Sequence, residues 1–447
     1  MKRRSFLKGC CTAAGASALP MTAFFNSGAA AASAPDNVLV YLYLRGGLDG
    51  LHLVVPYAGP ERAAYEQRRG NMLIPEDRLR PISPQWSLHP RAGGERGDLV
   101  DSAPRWLQRL WVQDRLAIVQ GAGMKTALSR SHFDAQAWMD LGTPGNKTTS
   151  SGWIARYLQQ ATGLPAPVLS NALGFTSTQP LALIGADQAF TASNASQFRV
   201  DGFHWSWNET NSGLTGHLGA QHRLMPLWDS ASSDLDVAGR NAAEALSLMR
   251  ELDFSDYEPD GGAVYPNGRL GRQLRDLANL VKSDLGIVAA TIDFGGWDTH
   301  AEQGMPNPGN PGHYDYFGNL VEDLSRSLDA FYTDLAAAAG NVMNRVTVVI
   351  LSEFGRNIQG NQSNGTDHGY GNVVLALGGR VNGGRFYGEF PGLDEASVFQ
   401  GQDLAVTTDY RQVLAEALVR RQQFRQDRLE QVFPDLDGYH PLGVFQD

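Results

Sequence analysis

Cysteine is nearly absent: Cys10 and Cys11 are the only two in the chain, and both fall in a leader-like start. Without that start the chain has no thiol, which excludes disulfides, thiolate metal sites, a cysteine nucleophile and a cysteine-derived formylglycine. Basic charge is scarce as well. Lys2, Arg3, Arg4 and Lys8 are the only charges before residue 35, so the rest sets 33 basic against 47 acidic side chains, a formal charge of −14. Nucleic acid is therefore not an expected partner, because phosphates need clustered cations. After the leader no apolar run approaches the ~20 residues that span a bilayer. A protein soluble, or at most peripheral, is the expectation.

What is present begins with residues 2 to 8. Lys2-Arg3-Arg4-Ser5-Phe6-Leu7-Lys8 reads as a twin-arginine export signature, followed by an apolar, small-residue run from Gly9 to Phe25 and a small-residue patch from Ala29 to Ala34. Residues 1–34 are expected to be a removed signal read by the twin-arginine translocase. The mature protein, residues 35–447, is then expected in the periplasm or outside the cell.

Val38 to Leu44 is a nearly continuous apolar run that ends in Arg45-Gly46-Gly47, the pattern of a buried strand feeding a loop. Similar runs occur at Leu116 to Val119, Ile287 to Ile292, Val346 to Leu351 and Val373 to Leu377. Between them lie helix-period segments at Ile154 to Gln160, Gly318 to Ala339 and Leu404 to Arg421, with another helix expected over Ala135 to Leu141. Strands alternating with helices predict an α/β fold with a mostly parallel sheet covered on both faces. Residues 171–282, with polar tracts and helix-prone stretches at Leu235 to Leu252 and Leu270 to Leu280, predict an inserted helical cap; ordinary crossover connections are the alternative.

Ligands bind at the carboxyl ends of strands in such sheets. There the chain places Asp49 after the first strand, Asp298 and His300 after the Ile287 strand, and Glu353 with Arg356 after the Val346 strand. Asp367 and His368 lie just before the Val373 strand. Carboxylates and imidazoles gathered at one edge repel one another unless protons or a cation intervene, so these six form a candidate site for zinc, manganese, magnesium or calcium, as one or two ions. Each also has a plainer reading. Asp49 could serve a turn, Asp298 and His300 could cap the segment that follows, and Glu353 with Arg356 could form a structural ion pair. Ser131 is a candidate nucleophile, or an N-cap with Asp134 three residues on. Arg130 and Arg356 are candidate anion clamps.

Five segments carry a family resemblance: Leu42 to Tyr57 (LYLRGGLDGLHLVVPY), Arg130 to Gly142 (RSHFDAQAWMDLG), Gly295 to Gln303 (GGWDTHAEQ), Ser352 to Asn357 (SEFGRN) and Gly365 to Gly388 (GTDHGYGNVVLALGGRVNGGRFYG). They resemble a bacterial domain-of-unknown-function family whose members commonly carry twin-arginine signals and are grouped with the alkaline phosphatase and sulfatase superfamily. The resemblance implies an alkaline-phosphatase-like α/β fold, Asp49 as first-strand metal ligand, and Ser131 as nucleophile. It also implies Asp298 with His300 as a ligand pair, Glu353 in place of the superfamily's Asp, and His368 as the late histidine ligand with Asp367 beside it. Phe354 stands where that superfamily has a histidine and the 298–300 spacing is short, which counts against a second ion. The Cys/Ser-x-Pro-x-Arg sulfatase motif is missing around Ser131.

The expected function is an exported metal-dependent hydrolase acting on a small anionic ester, phosphate or sulfate, or on a surface polymer. The alternative is a non-catalytic surface binding or assembly protein stabilised by metal, in company with a co-encoded exported protein.

Overall fold

The computed structural model describes residues 37–94, 103–165, 170–186, 189–194, 257–304 and 315–447, with isolated positions between 236 and 256. Residues 1–34, expected to be a removed signal, lie outside the described residues. Among the described residues, nine strands make the central sheet: β1 (Val38–Arg45), β2 (Leu116–Gly123), β3 (Ala172–Phe175), β4 (Ala189–Thr191), β5 (Ala289–Gly295), β6 (Val346–Leu351), β7 (Asn372–Gly378), β8 (Arg385–Tyr387) and β9 (Thr408–Asp409). Their order is β8-β2-β7-β6-β1-β5-β3-β4, with β9 also pairing to β2. All run one way except β7, which is antiparallel to both β6 and β2.

Strand β1 occupies the middle, parallel to β5 on one side and β6 on the other, with Val40 opposite Ala290 and Val348. Its apolar run follows from that position, because a central strand alternates between two buried faces. Val38, Val40, Leu42 and Leu44 join the core under α2 (Trp106–Val112), α5 (Arg269–Lys282) and α6 (Tyr316–Ala337). Leu39, Tyr41 and Tyr43 join the opposite core, under α3 (His132–Leu141), α4 (Trp153–Gln160) and α7 (Tyr410–Glu416). Each fully buried Leu or Val of this strand contributes about 1.5–3 kcal/mol, enough to fix its register against a one-residue slip. Helix α1 (Pro60–Arg69) precedes them in the chain.

The α/β architecture with a mostly parallel sheet agrees with the sequence pattern, and two details differ. Residues 172–175 and 189–191, at the start of the stretch expected as a helical cap, are sheet strands. Their pairing with β5 and with each other, rather than any local apolar run, makes them strands. At the far end of that stretch, α5 packs on the sheet core, while most of residues 195–256 lie outside the described set. The helix expected from Leu404 starts only at Tyr410, capped by Asp409, whose carboxylate accepts from Arg411 N–H at 2.9 Å. Among the described residues no helix is long and apolar enough to cross a membrane.

Candidate metal centre

The reversed direction of β7 decides where the site forms. Strands β1, β5 and β6 end at one edge of the sheet, and because β7 runs the other way its preceding loop, 365–371, arrives at that same edge. Arg356 stitches these loops together. Its guanidinium is fully buried and donates to the carbonyls of Gly47 (2.7 Å), Thr366 (2.8 Å), Trp297 (3.0 Å) and Gly46, and to Asp298 Oδ1 (2.6 Å). Gly46 makes the close approach possible: at φ +124° a Cβ there would stand 2.5 Å from the Asp298 nitrogen. Gly365 does the same against the His300 carbonyl carbon, at 2.2 Å.

Three imidazoles meet at Asp298. Its Oδ1 lies 3.0 Å from His368 Nε2, 3.1 Å from His300 Nε2 and 3.4 Å from His132 Nε2, and the first two nitrogens are 3.0 Å apart. Each ring is held from behind through Nδ1: His132 by Glu353 Oε1 at 2.8 Å, His300 by Asp367 Oδ1 at 2.9 Å and His368 by the Arg130 carbonyl at 2.7 Å. Carboxylate and carbonyl oxygens only accept, so a neutral ring carries its proton on Nδ1 and turns its Nε2 lone pair to the centre. Oxygen-backed imidazoles of this kind are the usual surroundings of a metal-bound histidine. Separations of 3.0–3.4 Å also suit donors set about 2.0–2.1 Å from a tetrahedral ion, which stand about 3.3 Å apart. His132, Asp298 and His368 offer donor atoms all within 4.8 Å of one another, and His300 joins them through its contacts with Asp298 and His368.

The surroundings bias the charges. Burial pushes the Asp298 carboxyl up, but the hydrogen bond from Arg356 and the close approach of His368 outweigh it and hold the group at about 2. Glu353 is nearly fully buried and still sits below the usual carboxylate range, because His132, Gln136 and the Gly46 N–H all donate to it. The hydrogen bond from His300 lowers Asp367. His132 is raised, chiefly by Glu353, whereas burial lowers His368.

These positions revise the residue roles expected from the sequence. Asp49 is not among the converging groups; it is buried in an ion pair with Arg69, accepts from Gln303, and caps the turn Gly50–Leu53 through His52 N–H at 3.0 Å. An arginine already neutralises its charge, which leaves a cation little to gain there. Glu353 and Asp367 orient histidines instead of facing the centre. Arg130 is not a free anion clamp, since its guanidinium meets Asp403 and Gln400, and every guanidinium nitrogen of Arg356 is engaged by the loops. Ser131 precedes α3 at the N-cap position, yet its side chain makes no capping hydrogen bond. Asp298, His300 and His368 do come together.

His132 is not among the residues that the sequence singles out. The signal was present in its place on α3, where Gln136 follows one turn later and both side chains reach Glu353. Phe354 is buried against the rings of His132 and His368 at centroid distances of 5.0 and 4.9 Å.

No curated protein matches the sequence. A solved structure titled "Crystal structure of Ps i-CgsB in complex with k-i-k-neocarrahexaose" aligns at 9% identity over 91% of this chain and 75% of that one, with a TM-score of 0.34, too low to bear on fold or function. Residues 262–433, which carry Asp298, His300, Glu353, Asp367 and His368, match the model of a family described as a protein of unknown function (DUF1501).

Proposed function

We propose that this chain is an exported, metal-dependent hydrolase of phosphate or sulfate esters, alkaline-phosphatase-like in fold, with one transition-metal ion held by His132, His300, His368 and Asp298. The observation that carries the reading is the meeting of three oxygen-backed imidazole nitrogens at one carboxylate oxygen. Nitrogen donors in the majority favour zinc over magnesium or calcium, which prefer all-oxygen shells. When bound, such an ion supplies Lewis acidity at an ester oxygen.

The chain's own residues do the rest. Asp298 is fixed by Arg356, so its donor oxygen is placed before any ligand arrives. Ser131 stands next to His132 with a hydroxyl not spent on capping, which suits it to attack the ester. With both arginines engaged, recognition of the anionic oxygens falls to the ion and the first-turn N–H groups of α3.

Elemental analysis of protein purified after native export, alongside His368→Ala, tests the reading when followed by phosphate and sulfate esters with and without chelator. Zinc in the wild type, loss in the variant and chelator-sensitive turnover are expected. Wild type without metal overturns it. The engaged arginines favour one rival, a non-catalytic metal-stabilised surface protein; bound metal with no turnover on either ester class would select that rival.

A further inference from the structure

We propose that Asp403 is a positioning residue for this metal centre, acting on His368 through Arg130 and Asn357. The inference rests on the metal-centre reading above and adds a residue that its position in the sequence would never nominate, since no strand end or motif points to it.

Asp403 is fully buried. Its Oδ2 receives the Arg130 guanidinium and its Oδ1 receives the Asn357 amide, while Gln400 from the same turn adds a second acceptor for Arg130 at 2.9 Å. Both partners lead to His368. The Arg130 carbonyl accepts from His368 Nδ1 at 2.7 Å, and Asn357 Nδ2 donates to the His368 carbonyl at 3.2 Å. Ring and backbone of one candidate ligand are thus held by two residues that share one carboxylate.

The local chain needs such an anchor. Residues 127–131 have no regular secondary structure, and Leu128 is exposed, so no ladder of backbone bonds fixes the Arg130 carbonyl. A carbonyl that drifts would let the His368 ring turn, and its Nε2 would lose its aim at the centre. Burying a carboxylate here is costly unless its hydrogen bonds are well made, and Arg130 and Asn357 make them.

The test uses the full chain stripped of metal and titrated with zinc, then loaded with cobalt for its visible spectrum. Asp403→Asn and Arg130→Gln are expected to weaken zinc binding 10- to 100-fold, the usual cost of losing an outer-shell partner, and to alter the cobalt bands. Arg130→Lys, which keeps the ion pair, should restore much of the affinity. Asp334→Asn is the control: that buried carboxylate holds Tyr257 and Tyr265, and its loss should lower the melting temperature with zinc affinity unchanged. If Asp403→Asn does not fold, Arg130→Gln and Asn357→Ala read the two arms separately. Unchanged zinc affinity and cobalt spectrum in these variants overturn the positioning role alone. A wild type that binds no zinc overturns the metal-centre reading and this inference with it.

Discussion

Two loops at the same sheet edge have nearly the same local sequence and opposite fates. After β1 comes Gly46-Gly47-Leu48-Asp49, and after β5 comes Gly295-Gly296-Trp297-Asp298. The Asp49 side chain is 1% exposed and faces the buried guanidinium of Arg69, from the end of α1. The Asp298 side chain is 47% exposed and faces three imidazoles. A carboxylate opposite an arginine is a closed pair, whereas one opposite neutral rings leaves lone pairs for a cation. Arg356 touches Asp298 too, but it is shared among four carbonyls and serves mainly to hold the loop.

The sharpest way to break the comparison is Arg69→Met. It strands Asp49 as a buried, uncompensated charge, and a loss of about 3–5 kcal/mol in denaturant unfolding is expected, with metal content of the folded fraction retained. A small loss would mean that Asp49 is not closed by Arg69. On the open side, an ion at 1,000 times its dissociation constant stabilises by about 4 kcal/mol. Chelator should therefore lower the wild-type melting temperature and leave that of His368→Ala unmoved; equal shifts in both would remove the centre.

A third carboxylate sharpens the contrast through pH. Asp140 on α3 pairs with Arg45 at the end of β1, at 2.7 Å, yet burial pushes it up from 3.8 to about 6. A group raised on folding adds stability below its unfolded value and loses it as pH climbs through the folded one. The stability of wild type relative to Asp140→Asn should accordingly fall between pH 4 and pH 6 and level off above; a difference that rises over this window would reverse the assignment. The smallest effect belongs to Ser131→Gly. With no capping bond to lose, it should cost only a few tenths of a kcal/mol in thermal unfolding, while ester turnover disappears if the hydroxyl attacks.

Much of this was readable from the chain. The VLVYLYL run marks a strand buried on both faces because only a central strand needs apolar residues at every position, and the five apolar runs all became sheet strands. Asp298, His300 and His368 were legible because they follow or precede those strands. Strands β3 and β4 were not, since four and three residues carry too little periodicity to register. His132 lay hidden because a histidine in the first turn of a helix looks like any other until the helix is docked.

The sequence by itself determined the alternation of strands and helices, the acidic balance, the confinement of its two cysteines to the start of the chain and the set of polar residues placed at strand ends. These depend on neighbours along the chain, through side-chain period and turn chemistry. Only the tertiary structure decided which carboxylate meets an arginine and which meets imidazoles. That choice rests on the sheet order, which sets Asp298 beside His368 from 70 residues away, and on the reversed β7 that carries His368 to the common edge. Charge compensation is a through-space property, so two aspartates with the same local sequence part company only when the fold brings them their partners.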